Sequence, residues 1–203
     1  MAEDFDLHAL TWDDKPERRE RSRRVAETMR PLIPAGRPRT VELGAGTGLL
    51  SRCLAEQLGH VVLLDASPGM VEVAQSAVQG HGWEARVADL AGGEIEGGPY
   101  GLVLSQLAMH HIDDVPDLLA RVHRCLSPGG RLLVADLDHD AEGRYHAHVQ
   151  DFHGHHGFRR DEFAAWLEAA GFTGIEFHDA GIIGKEVEGE RQDFPLFLAA
   201  ATA

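Results

Sequence analysis

A chain of 203 residues and 22.1 kDa, 43% of it hydrophobic, is long enough to bury the core of one domain. Its formal charge of −14 argues against nucleic acid as a partner, because that affinity rests on Lys and Arg neutralising phosphates. No run of about 18 consecutive apolar residues could span a bilayer, and the opening MAEDFDLHALTWDDKPERRE has neither the basic start nor the apolar stretch of a secretion signal, so no membrane partner is expected and the setting reads as cytoplasmic.

In chain order, the first periodic segment is 16–33, where Val25, Met29, Leu32 and Ile33 recur at helical spacing. Its basic run ERRERSRRVAETMR interleaves acids and reads as a solvated helix face. After the Pro-rich link IPAGRP, apolar runs alternate with helical stretches: strand 39–44, helix 48–58, strand 60–65, helix 68–80, strand 84–88, strand 100–105, helix 115–126 and strand 131–136. Pro68 and Pro116 stand where the first helical residue belongs, and Ser67 can cap the first of these helices. Cys53 and Cys125 fall inside predicted helices and read as buried thiols, not a disulfide framework.

This rhythm predicts an α/β fold, a doubly wound, mostly parallel sheet with helices on both faces. Beyond Asp136 the pattern gives way to DHDAEGRYHAHVQDFHGHHGF, rich in histidine and without a clear period. A helix over 159–170 ends at Gly171, a natural C-cap, and 173–178 and 194–199 complete seven strands. There are no internal repeats, and the chain divides into a helical cap (1–38), a core (39–137), a His-rich insert (138–158) and a C-terminal helix with strands (159–203) within a single domain.

VELGAGTGLL places Gly44, Gly46 and Gly48 between the first strand and its helix, the context a nucleotide loop requires. Glycines let the backbone turn sharply and a ligand approach without a Cβ in the way, and Asp65 at the end of the next strand suits the two hydroxyls of a ribose. The third glycine comes one residue earlier than in the G-x-G-x-x-G dinucleotide pattern. No Tyr-x-x-x-Lys pair supports hydride transfer, since Leu104 and Val149 stand four residues after Tyr100 and Tyr145, and no Gly-Lys-Ser or Gly-Lys-Thr makes a P-loop.

VELGAGTG, VVLLDASPGMVEVA, VADL, LVLSQLAMHHIDD and LSPGGRLLVADLD, in this order and spacing, resemble the class I S-adenosylmethionine-dependent methyltransferases, closely over 40–137. LTWDDKPERRER and GFRRDEFAAWLEAAGF resemble the small-molecule branch of that family. The resemblance implies a Rossmann-like seven-stranded fold with 39–137 as the cofactor-binding core. It also implies S-adenosylmethionine as cofactor and a small organic molecule as methyl acceptor, leaving S-adenosylhomocysteine as product. By position, Gly44, Gly46 and Gly48 would pass under the methionine part, and Glu42 would anchor its amino group. Asp65, with Ala66 beside it, would take the ribose hydroxyls, and Met70 would press on the adenine. Asp89 would accept from the adenine amino group, the Leu90 backbone would read a ring nitrogen, and Ser105 would join the cofactor wall.

Methyl transfer from a sulfonium is an in-line displacement on an already activated carbon, so positioning is the protein's main task. An oxygen or nitrogen nucleophile also calls for a base, and histidine is the natural candidate near neutral pH. His110 and His111 follow the 100–105 strand, where the family's methyl group points; His111 is the expected base or positioner. His153, His155 and His156 belong to a lid, with His156 the third catalytic candidate. Trp12 and the insert are expected to wall the acceptor site. No metal is expected, because HAH at 146–148 and HGHH at 153–156 match no helical H-x-x-x-H pair and no cysteine joins them. A cofactor-binding, non-catalytic module and a nicotinamide-dependent oxidoreductase stay open as alternatives.

Overall fold

The computed structural model describes residues 2–149 and 152–203, with side chains from Phe5 onward; Gln150 and Asp151, inside the His-rich insert, and Met1 lie outside the described residues. The chain opens with α1 (Ala2–His8), a 3₁₀ segment (Ala9–Asp14) and α2 (Pro16–Met29). It continues through β1 (Thr40–Leu43), α3 (Leu49–Cys53), β2 (Val61–Asp65), α4 (Pro68–Val78), β3 (Glu84–Val87) and β4 (Tyr100–Gln106). After these come α5 (Val115–Cys125), β5 (Leu126–Leu137), α6 (Arg160–Ala169), β6 (Thr173–Val187) and β7 (Glu190–Thr202).

The seven strands form one sheet in the order β3-β2-β1-β4-β5-β7-β6. β1 to β5 run parallel, and β7 is antiparallel to both its neighbours. β2 reads VVLLD without polar alternation because helices cover both faces. Val62 and Leu64 face a core with Leu118, Leu119 and Val122 of α5 and Phe163 and Leu167 of α6. Val61 and Leu63 face the opposite core, with Val25 and Met29 of α2, Leu50 of α3 and Ala74 and Val78 of α4. Among the described residues, no helix is long and apolar enough to cross a membrane.

Strand order reverses between β1 and β4, so the carboxyl ends of these strands open a crevice there. Local chemistry sets the helices around it. Ser67 caps α4 by accepting from the Met70 amide at 3.1 Å, with Pro68 at the first helical position. For α5 the cap is Asp114, which accepts from the Asp117 amide at 3.0 Å, so Pro116 is the second helical residue. Gly171, at φ +100, closes α6 with bonds from its own amide to Glu168 and from the Phe172 amide to Leu167.

Several boundaries differ from the sequence expectation, and the strand expected over 131–136 begins at Leu126. The helix expected over 16–33 stops at Met29, because Pro31 has no amide to continue it, and Arg30–Leu32 pass into a 3₁₀ turn. That expected over 48–58 is regular only through Cys53; tight turns from the Leu54 amide to Ser51 and the Gln57 amide to Leu54 then bury both Leu54 and Leu58. The last two strands form a hairpin far longer than 173–178 and 194–199, joined by Glu188 and Gly189, both at positive φ.

Candidate functional site

The cavity of about 290 Å³ at the switch point is lined in sequence by the ends of successive strands: Gly44 to Thr47 after β1, Asp65 to Ser67 after β2, Asp89 to Ala91 after β3, and Gln106 to Ala108 after β4. The three glycines serve it differently. A Cβ on Gly44 would lie 2.2 Å from the Ala108 Cβ, so Gly44 lets two loops meet. On Gly46, at φ +53, it would meet only Met70 Sδ at 4.0 Å; this backbone is bare toward the cavity. Gly48, at φ +73, starts α3 and faces the core, where a Cβ would lie 2.7 Å from Leu63 Cδ1.

Asp65 fixes the loop and presents itself at once. One carboxyl oxygen accepts from the Gly46 amide at 2.7 Å and the other from the Ser67 amide at 2.9 Å, which leaves each oxygen a further lone pair for a ligand hydroxyl. Burial pushes its pKa up. Glu42, only 2% exposed, accepts from both the amide and the hydroxyl of Ser51. Burial raises it to about 7, with Asp65 adding to the rise and Ser51 and Arg52 opposing it.

Met70 and Ala66 line the same wall, with Met70 fully buried. Asp89 bends the following loop by accepting from the Ala91 amide at 2.9 Å, and Arg121 holds that loop through the carbonyls of Leu90 and Gly93. With its carbonyl so occupied, Leu90 has its N–H left for a ligand edge. Ser105 lies behind the wall, outside the cavity lining: it is fully buried and its hydroxyl donates to the Leu43 carbonyl at 3.1 Å. Leu107 turns the chain at φ +53, a left-handed residue on the cavity wall held by a 2.8 Å bond from its amide to Ala135.

The N-terminal strap closes over this arrangement, a contact that no local sequence signal announced. Asp6 accepts from the Ser67 hydroxyl and from the Gly69 amide, at 2.8 Å for the latter, and Asp13 bonds the Thr47 hydroxyl at 2.7 Å and pairs with Arg52. These ties hold Phe5 and Trp12 on the cavity wall.

Of the three histidine candidates, only His111 lines the cavity. Burial, then His110, lowers its pKa to about 4, so its ring is neutral at physiological pH. His110 is buried behind it, its Nδ1 2.6 Å from Asp136, which also accepts the backbone amides of Met109 and His110. The ring centroids of His110 and His111 lie 4.1 Å apart. His156 is exposed and outside the lining, 5.8 Å from His146 between ring centroids. His146 stacks on Phe152 at 3.7 Å, and burial followed by His110 lowers it to about 3. His153 is exposed, while His155 is half-buried and ties to residues 110 and 113 through backbone. Among the described residues, no group of three or more His, Cys, Asp or Glu is placed to hold a metal ion.

The basic run of α2 divides. Arg23 pairs with Glu20 and Glu27, and Arg24 with Glu20, on the solvated face. Arg18 and Arg21 instead turn into the cavity, which corrects the reading of the whole run as a solvent face. The signal was there: Arg18, Arg21 and Ser22 precede the buried Val25 by seven, four and three residues, on its own side of the helix.

A family model described as a methyltransferase domain matches residues 17–176. The biotin biosynthesis bifunctional protein BioCD of Bordetella avium is 36% identical over 126 residues, spanning 60% of this chain and 26% of that protein. Malonyl-[acyl-carrier protein] O-methyltransferase of Hahella chejuensis is 28% identical over 204 residues, 93% of this chain and 72% of that protein. The chain thus spans about a quarter of the first relative's length and about half that of others. An S-adenosylmethionine dependent methyltransferase from Mesorhizobium loti shares the fold at TM-score 0.70 and 22% identity, covering 87% of this chain and 96% of that one.

Proposed function

The chain belongs to the methyltransferase domain family, and from that membership we propose that it transfers a methyl group from S-adenosylmethionine to a small organic acceptor, with S-adenosylhomocysteine as product. The observation that carries this reading is that Glu42 and Asp65 line one cavity with the bare Gly46 backbone at the sheet's switch point. Two buried carboxyls suit a ligand with a cationic end and vicinal hydroxyls, and Met70 with the N–H of Leu90 suits a flat purine. The names of the Hahella relative and the Mesorhizobium structure support the donor and the reaction class.

In this reading Glu42 takes the donor's ammonium, Asp65 the ribose hydroxyls, Ala66 and Met70 the adenine face, Asp89 the adenine amino group and Leu90 a ring nitrogen. Gly44 and Gly46 shape the loop under the methionine tail; Gly48 and Ser105 support that wall from behind. The donor brings an activated methyl, and the chain's residues hold the acceptor in line and exclude water, which supplies up to about 7–11 kcal/mol for well-oriented reactants. A His111 ring kept neutral accepts a hydrogen bond from an acceptor O–H or N–H; with basicity this low it positions more than it abstracts. His110 and Asp136 set its orientation from behind. The strap forms an acceptor wall through Phe5 and Trp12, whereas no described residue of the insert 138–158, also expected there, lines the cavity; a cytoplasmic setting fits two cysteines that are both free thiols.

The test is thermal and chemical. S-adenosylhomocysteine should raise the Tm of the wild type and leave that of Asp65→Ala unmoved, and S-adenosylhomocysteine should accumulate when a metabolite library is supplied with the donor. A shift given by NAD(P) and not by S-adenosylmethionine overturns the reading.

A further inference from the structure

Three side-chain atoms on the cavity wall are buried without a hydrogen-bond partner among the described residues: Arg21 Nε, Gln106 Oε1 and His111 Nδ1. Buried polar groups are normally partnered, and these three belong to side chains that line one cavity open to a ligand. The Arg21 guanidinium makes no hydrogen bond or ion pair with any described residue, and burial lowers its pKa with only the Tyr145 phenol acting against that. Arg18, one turn earlier, stacks on Trp12 at 3.4 Å and donates to the Trp12 carbonyl at 3.2 Å, again with no described carboxylate bonded to it. In a chain of net charge −14, whose neighbouring Arg23 and Arg24 are ion-paired, two guanidiniums turned into a cavity whose carboxyls (Glu42, Asp65, Asp89 and Asp113) bond neither of them call for an anion from outside.

We propose that Arg21 and Arg18 form an oxyanion subsite for the methyl acceptor, so that the acceptor is a small organic acid whose carboxylate or phosphate meets these guanidiniums while its O–H or N–H donates to His111. This rests on the methyl-transfer reading. The donor's own carboxylate is a different anion: it shares a carbon with the ammonium assigned to Glu42, and the charges acting on Glu42 are Asp65 and Arg52. Arg21 answers instead to Tyr145, on the side of the insert. Gln106, whose amide nitrogen donates to Ser22 at 3.1 Å, joins the β4 end to the same helix on the cavity wall.

The experiment uses the protein loaded with S-adenosylhomocysteine and titrates it calorimetrically with benzoate, 4-hydroxybenzoate and phenyl phosphate against benzamide. The wild type should prefer the anionic probes about 10- to 100-fold, and Arg21→Met should lose that preference. Without ligand, Arg21→Met should melt about 2–4 °C higher, because an unpaired buried charge has been removed, which a merely structural arginine would not show. Arg21→Lys keeps the charge without the planar fork and should fall between the two. Comparison of benzoate with phenyl phosphate tells which oxyanion fits. Equal binding of benzamide, or a preference that survives in Arg21→Met, overturns the proposal. So does weakened binding of S-adenosylhomocysteine to Arg21→Met with 5′-methylthioadenosine unaffected, which would assign the guanidinium to the donor's tail. Failure of the wild type to bind S-adenosylhomocysteine at all defeats the methyl-transfer reading instead.

Discussion

Glu42→Gln offers a test of the site's electrostatics that needs no acceptor. Burial holds the Glu42 pKa at about 7 against an ordinary 4.5. Between these values the folded state keeps a proton that the unfolded chain has released, so this group's contribution to stability falls as pH rises from about 4.5 and is fully lost above about 7. At about 1.4 kcal/mol per pH unit the loss is about 3 kcal/mol. For a domain of this size that amounts to about 6–12 °C in Tm. His111 and His146, whose pKa values are lowered, titrate with the opposite sign, so wild type and variant must be compared at each pH rather than singly. Glu42→Gln keeps an acceptor for Ser51 and removes the charge. Melting curves from pH 5 to 8 should therefore converge near pH 5 and separate toward pH 8, the variant melting higher, while its affinity for S-adenosylhomocysteine drops. Parallel Tm–pH curves would refute the argument.

Two further outcomes follow from the geometry around the site. Asp136→Ala strips the His110 ring and three backbone amides of their buried partner and should cost about 3–5 kcal/mol in urea unfolding, whereas a loss below about 1 kcal/mol would show that the cluster is not a structural prop. Gly48→Ala should destabilise by about 2–4 kcal/mol through its left-handed backbone and the crowding of Leu63, yet leave cofactor affinity nearly unchanged, while Gly46→Ala should weaken that affinity; the reverse pattern in calorimetry would contradict the division of labour among the glycines.

Much of the sheet was legible because both-face burial writes uninterrupted apolar runs such as VVLL and LLVA, each followed by an aspartate at the strand's carboxyl end. The spacing of Gly44, Gly46 and Gly48 with Glu42, Asp65 and Asp89 likewise mapped onto one cavity or its immediate support, since each sits at the end of a strand. What escaped was set by long-range contact. Asp6 and Asp13 reach loops some sixty and thirty residues away, and nothing near either aspartate in sequence distinguishes it from a solvated acid. Ser105 was expected on the cofactor wall, but the neighbouring Leu43 carbonyl claims its hydroxyl. The long hairpin was hidden because its turn is Glu-Gly, a weaker signal than Asn-Gly or Asp-Gly, and because Gly181 and Gly184 interrupt the alternation of β6.

The place of β7 between β5 and β6 bears on how the chain is made. Of the seven strands, the last in chain order belongs to the interior of the sheet, so until it arrives β5 offers an unpaired edge from Arg131 to Leu137. A nascent chain therefore travels through translation with its stickiest surface uncovered, and the tight turn at Glu188–Gly189 shortens that exposure by delivering β6 and β7 as one unit. A message cut short within the last 13-residue strand yields a template for aggregation at the sheet's open edge.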